Sequence, residues 1–324
     1  MEAMYYDKKE GNKVQCKLCP HNCTIKDGGL GVCRARKNID GNLTSLNYGK
    51  ITSFAFDPIE KKPLYHFHPG SDILSLGSFG CNLKCDFCQN WEIAHATPWM
   101  TEMEDEDILK LGRYKNSIGI AYTYNEPTVS YEYVYHLCKL AKENGLVNVL
   151  VTNGYINPEP LKELLPYIDA MNIDLKSIKE DYYKKICKGK LEPVMETIEI
   201  AYKHTHVEVT NLIVEGLNST NEEIDELASW LAGINREIPL HLTKYYPAYK
   251  MDLPETSYDI LVKAKEIARE HLDYVYIGNV IGIDNNTYCP KCSNKLISRD
   301  TKGKVVGIED CKCTTCGAEI NIVY

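Results

Sequence analysis

The chain has 324 residues, a formal net charge of −8, and 44% hydrophobic against 25% charged residues. This is an ordinary soluble composition. It holds no run of the ~18 apolar residues that a membrane helix needs, and its acidity gives no support to broad nucleic-acid binding, without excluding a local basic patch. Fourteen cysteines fall in clusters behind a polar start, Met1 to Gly11, that lacks an apolar signal core. That pattern points to metal-bound thiolates in a reducing cytoplasmic compartment rather than to a disulfide scaffold.

In chain order, the first cluster is Cys16-x2-Cys19-Pro20-His21-x-Cys23, followed by Gly28-Gly29 and Gly31-x-Cys33. Four cysteines in so short a stretch suit zinc or an iron–sulfur cluster, with His21 as a substitute ligand; the alternative is a small cap with unmetallated thiols. Residues 43–68 read as strands and turns. Their charged and histidine-rich part, 57–68, has the composition of a solvated loop more than of an active-site rim. Residues 1–70 are therefore expected to form a cysteine-rich cap with strands.

Strands and helices alternate from residue 73 onward. Strands are expected over 73–77, 118–124, 148–152, 170–175, 206–214, 240–243 and 274–277. A capping-box pattern at Thr101 and Glu104 opens a helix to about Asn116, and Thr220 with Glu223 opens another to Asn235. Helices are also expected over 129–144, closed by Gly145, over 158–167 with Asn157 as its cap, in segments ending near Lys203, and over 254–271. Strand–helix alternation implies βαβ units, a parallel sheet closed wholly or partly into a barrel over 71–284, and a site at the strands' C-terminal ends.

The first of those ends carries Cys81-x3-Cys85-x2-Cys88. Three thiolates in one tight loop suit a soft metal centre, and they are one short of the four that a cubane cluster takes from protein. A zinc knuckle or three buried thiols are the bland alternatives. The tail, 285–324, carries Cys289-x2-Cys292 and Cys313-x2-Cys316 about twenty residues apart, a zinc-ribbon spacing. Cys311 is a fifth cysteine there, set aside on spacing alone.

The stretches 57–67, 80–91, 122–132, 151–155, 172–177, 245–251 and 276–280 together resemble the radical S-adenosylmethionine (radical SAM) enzymes of the AmmeMemoRadiSam system, a group close to the pyruvate formate-lyase activating enzymes. The run 57–67, Asp-Pro-Ile-Glu-Lys-Lys-Pro-Leu-Tyr-His-Phe, and the Cys-Gln-Asn-Trp of 88–91 carry the narrower likeness. The resemblance implies an α/β fold, a partial or full (β/α)6-type radical SAM barrel with the N-terminal cysteine-rich cap and the C-terminal zinc ribbon. It implies a [4Fe–4S] cluster on Cys81, Cys85 and Cys88, with S-adenosylmethionine (SAM) on the open iron. SAM contacts are implied at Tyr124, Asn125 and Glu126, where many relatives have Gly-Gly-Glu. Further contacts are implied at Thr152, Asn153 and Gly154, at Asp174 and Lys176, and at Gly278 and Asn279.

The implied reaction is reductive cleavage of SAM to methionine and a 5′-deoxyadenosyl radical that takes hydrogen from a protein, peptide, RNA or small molecule. It needs no general base; Lys176, Tyr245 and His241 would be the candidates. A glycyl-radical-enzyme activase is one specific form of this chemistry, and a non-catalytic metal-binding adaptor is the rival class. Implied partners are a reductant such as ferredoxin or flavodoxin, and Memo-like and AMMECR1-like proteins, with no membrane.

Overall fold

The computed structural model describes residues 1–300 and 302–324. Its centre is a sheet of eight strands: β1 (Ser53–Pro58), β2 (Asp72–Gly77), β3 (Ser117–Tyr122), β4 (Val147–Thr152), β5 (Ala170–Asp174), β6 (His206–Ile213), β7 (Leu240–Lys244) and β8 (Val275–Gly278). Strands β2 to β8 lie side by side in chain order and run parallel. Strand β1 pairs antiparallel with β2, from Ser53 opposite Gly77 to Pro58 opposite Asp72. The parallel strands are short apolar runs with both faces buried, as Val147–Thr152 illustrates. That is the signature of a sheet covered by crossover helices.

Six helices make those crossovers: α1 (Asp105–Gly112), α2 (Tyr131–Glu143), α3 (Pro158–Leu164), α4 (Glu192–Tyr202), α5 (Asn221–Ile234) and α6 (Tyr258–Ala268). No helix among the described residues is long and apolar enough to cross a membrane. Thr220 caps α5 as expected, its hydroxyl accepting from the Glu223 backbone N–H at 3.2 Å. Two other start signals are used differently. Thr101–Glu102 is a short strand paired with Lys50–Ile51, so α1 begins only at Asp105. Asn157 sits at the α3 N-cap without capping; its side-chain amide donates to the Lys17 carbonyl at 2.6 Å and ties the N-terminal region to the sheet.

Residues 57–68 are not a solvated loop. Lys62, Leu64, His66 and Phe67 are all buried. The segment crosses the N-terminal ends of the strands, where Tyr65 N–H and His66 N–H donate to the Glu208 carboxylate at 2.9 and 2.7 Å. The Tyr65 ring packs on His241 and Tyr276, with centroids 4.7 and 4.6 Å away. Contact between the chain that follows β1 and the starts of β7 and β8 means that the sheet is rolled, bringing its two edges toward each other. The tail docks on the same end: Val323 exchanges backbone hydrogen bonds with His66 and His68, and the Lys302 ammonium pairs with Asp72. Strand β1 therefore belongs to the sheet.

His66 locks this closed end. Its Nδ1–H donates to the Asn321 carbonyl at 2.8 Å, and its Nε2 accepts from the Tyr276 hydroxyl at 2.7 Å. This pairing suits a neutral ring. Burial lowers its pKa to about 4; Glu208 works against that, and Arg299 and His206 work with it. An unfolded histidine takes up its proton near pH 6.5, so the unfolded state binds more protons between pH 6.5 and 4. Stability should fall as the pH drops through that window, with His66 contributing up to about 1.4 kcal/mol per pH unit. Urea denaturation at a series of pH values should show this slope, and His66→Gln should remove one proton's share of it.

Candidate active site and metal centres

The open end of the sheet is the C-terminal one, where α/β folds place their ligands. Strand β2 ends at Gly77, and the chain from Ser78 to Cys88 crosses this end without regular secondary structure. Two glycines permit the crossing. A Cβ on Gly77 would lie 2.9 Å from the Tyr124 ring, and one on Gly80 (φ +94°) would lie 2.7 Å from the Cys33 carbonyl oxygen. Asn125 holds the start of the loop: its Oδ1 accepts from Ser78 N–H at 2.9 Å and its amide donates to the Gly80 carbonyl at 3.0 Å. Further along, Lys84 N–H donates to the Cys187 carbonyl at 2.8 Å, and the Asp86 carbonyl accepts from Lys250 N–H at 2.9 Å. Asn82 is buried beneath, donating to the Tyr155 carbonyl at 2.6 Å and accepting from Asn153 at 2.9 Å.

Cys85 is buried, while Cys81 and Cys88 are partly exposed. Burial pushes the Cys81 thiol well above its ordinary pKa and Cys88 up to about 11. Cys85 is raised first by its hydrogen bond with the buried Cys187 thiol and then by burial. Cys187 lies in the helical turn Tyr183–Cys187 and was not legible as a neighbour of the loop, because a lone cysteine carries no spacing signal. The Asn153 amide donates to the Cys81 sulfur at 3.6 Å. Among the described residues, Cys81, Cys85 and Cys88 are not a group whose sulfurs all lie within 4.8 Å of one another. A single ion with metal–sulfur bonds of about 2.3 Å would hold them roughly 3.8 Å apart. The wider set fits a polynuclear cluster, in which metal and sulfide stand between the thiolates.

The expected contact residues rim the loop, but several are committed to the protein itself. Tyr124 has φ +72°, a conformation uncommon for a non-glycine residue, and its hydroxyl donates to Asp57 at 3.0 Å. Asp57 in turn pairs with the buried Lys62 at 2.9 Å. Glu126 is buried and well bonded: Thr128 N–H and the Thr128 and Thr152 hydroxyls donate to its Oε1, and Asn153 N–H donates to its Oε2, at 2.7 to 3.0 Å. It braces the ends of β3 and β4, where the sequence suggested a free acceptor. Gly154 N–H donates to the Thr152 hydroxyl at 3.1 Å, which completes this corner.

Asp174, at the end of β5, pairs with Lys176 at 2.7 Å. Burial works against the lysine's charge, but Asp174, Cys85 and Cys187 outweigh it and hold its pKa above the ordinary range. Lys176 is thus a fixed cation beside Cys85, unsuited to act as a base. Gly278 ends β8, and Asn279 follows with φ +61°, its carbonyl accepting from the Tyr246 hydroxyl at 2.9 Å.

The other two base candidates are engaged by the protein itself. His241 is the second residue of β7, at the closed end, where its Nε2 lies 2.6 Å from Glu208. Tyr245 is fully buried, and its hydroxyl donates to the Met251 carbonyl at 2.9 Å.

The cysteines outside the loop form two further groups. In the tail, Cys289, Cys292, Cys313 and Cys316 have all four sulfurs within 4.8 Å of one another. The Cys289–Cys316 and Cys292–Cys313 pairs are 3.6 Å apart, close to the spacing around one four-coordinate ion. Cys311 lies outside the group, its thiol directed to the Ile322 carbonyl. At the other terminus, Cys16, Cys19, Cys23 and Cys33 line a single cavity with His21 and Arg36.

A sequence profile of the radical SAM superfamily matches residues 76–231. An uncharacterized protein of Methanocaldococcus jannaschii is 46% identical over 99% of both chains. A pyruvate formate-lyase-activating enzyme of Clostridium pasteurianum is 29% identical, over 52% of this chain and 72% of its own. Among solved structures, Streptococcus suis SuiB bound to S-adenosylmethionine shares the fold at 15% identity and a TM-score of 0.50, over 61% of this chain and 47% of its own.

The tail's metal group is separated from the loop by the whole length of the strands. With Zn²⁺ offered to the purified chain, Cys292→Ala should take up less of it and lose resistance of the tail to proteolysis, while uptake of iron with sulfide by the chain stays unchanged. Elemental analysis and limited digestion, read side by side, check both halves.

Proposed function

We propose that this chain, which belongs to the radical SAM superfamily, cleaves SAM reductively at a [4Fe–4S] cluster held by Cys81, Cys85 and Cys88. The observation that carries the reading is the loop itself: three thiols, one short of a four-thiolate set, at the open end of a parallel sheet. The cofactor pair would supply the difficult step, splitting SAM into methionine and a 5′-deoxyadenosyl radical that removes a substrate hydrogen.

The chain's own residues position and shield. Asn125 and Asn82 fix the loop backbone, and Asn153 gives an N–H to the Cys81 sulfur. Lys176, kept cationic beside Asp174, offers a fixed positive charge to an anionic group of SAM or substrate. Glu126 keeps the β3 and β4 ends in register. The same reading takes a low-potential reductant of the ferredoxin or flavodoxin class as electron donor and Zn²⁺ as the ion of the tail.

A glycyl-radical-enzyme activase is the second reading, favoured by the likeness to the Clostridium pasteurianum activating enzyme. An adaptor without chemistry would have no need of the three-thiol loop beside a buried cation. Anaerobic reconstitution with SAM and dithionite should yield 5′-deoxyadenosine, and Cys85→Ala should lower that yield at least a hundredfold. Full cleavage by the variant would overturn the ligand assignment. A glycyl radical on a co-incubated partner, seen by electron paramagnetic resonance, would select the second reading.

A further inference from the structure

The N-terminal cysteines have no part in the chemistry described above. Cys16 ends a strand of the first hairpin, Cys19 and Cys23 lie on the turn that follows, and Cys33 precedes the strand Arg36–Ile39. Folding brings them together around one small cavity. We propose that Cys16, Cys19, Cys23 and Cys33 ligate an iron–sulfur cluster of their own, with all four positions taken by protein thiolates.

Three observations favour a cluster over the other fates of four thiols. All four are free, so they are not a disulfide pair. Among the described residues they do not form a group with every sulfur within 4.8 Å of the others, as the tail four do; a polynuclear centre, which places metal and sulfide between its thiolates, suits that arrangement. The third observation is Arg36. It lines the cavity and is 1% exposed. Its two terminal nitrogens donate to Glu132 at 2.9 and 2.8 Å, yet its Nε has no hydrogen-bond partner. A buried N–H without an acceptor leaves the cost of its desolvation unrepaid. A cluster between Cys16 and Cys33 would supply sulfur acceptors, where protonated thiols supply only weak ones.

The position adds a consequence. The Cys33 carbonyl fills the space that a Gly80 side chain would need, and the His21 Nε2 lies 2.7 Å from the Asn82 carbonyl. The cavity therefore shares a wall with the three-cysteine loop, and a centre there would lie directly behind it. The site stands on its own geometry and does not require that the loop cleave SAM.

The test is made on the full chain with the loop disabled, Cys81→Ala, Cys85→Ala and Cys88→Ala together. After anaerobic reconstitution with ferrous iron and sulfide, this variant should retain iron and acid-labile sulfide in about a 1:1 ratio, with the brown absorbance of a cluster. Adding Cys19→Ser should remove the sulfide. Iron without sulfide, zinc alone, or no metal beyond the tail's ion would overturn the proposal. Absence of sulfide from the loop-disabled variant but not from the intact chain would sink this site and leave the SAM reading standing. Absence from both would sink the two together. Arg36→Lys, which lacks the Nε donor, should keep the cluster but lower its midpoint potential, because hydrogen bonds to cluster sulfurs help to set it. An unchanged potential would count against Arg36 as its donor.

Discussion

The segment Cys81 to Cys88 has no helix or strand to shape it, yet it must hold three sulfurs in one arrangement. Its shape is imposed from outside, by hydrogen bonds from residues far away in sequence. Asn125 at the end of β3 holds its start, Asn82 anchors it to Tyr155 and Asn153 beyond β4, and the Cys187 carbonyl and Lys250 N–H fix its far side. A backbone without partners of its own would otherwise sample many conformations, and fixing each residue costs roughly 1–2 kcal/mol. The rim residues that family resemblance assigns to cofactor contact therefore have a prior task. Glu126 shows this best, since four donors within the protein take its carboxylate before any ligand can.

The two ends of the rolled sheet divide the chemistry. At the N-terminal ends of the strands, Glu208 is held by His206, His241 and two backbone N–H groups. The segment around His66 and the tail seal it from water. Here a buried carboxylate is met by four hydrogen-bonding groups, which ties the end closed. At the C-terminal ends, polar side chains converge on a loop with partly exposed thiols, and Lys176 remains a cation. Assigning His241 to chemistry overlooked that a strand has two ends. A histidine at a strand's second position faces the seal, however suitable its side chain is as a base.

The cysteines separate by geometry into three kinds of site. The tail group is tight enough for one ion. The loop and the N-terminal group are wider, and they differ in whether three or four thiols surround the space. Spacing along the chain hinted at these differences, but the distances between sulfurs decide them. A tetrahedral ion and a cluster demand different separations from the same residue type.

The sequence alone was enough for the parallel strands, because runs such as Val147–Thr152 are buried on both faces and announce it by composition. It was enough for the three-cysteine loop at the end of the first of them, because ligands close in the chain are bound to be close in space. It also separated Cys313 and Cys316 from Cys311 on spacing. Tertiary structure decided what depends on long-range contact. It put β1 into the sheet and turned 57–68 from a surface loop into a buried seal. It gave Thr101 to a strand, since pairing with Lys50–Ile51 outweighed a local capping signal. It brought Cys187 to Cys85, and Cys33 and Arg36 to Cys16. Each of these rests on residues whose partners lie far away along the chain, and local pattern holds no record of where folding will bring them.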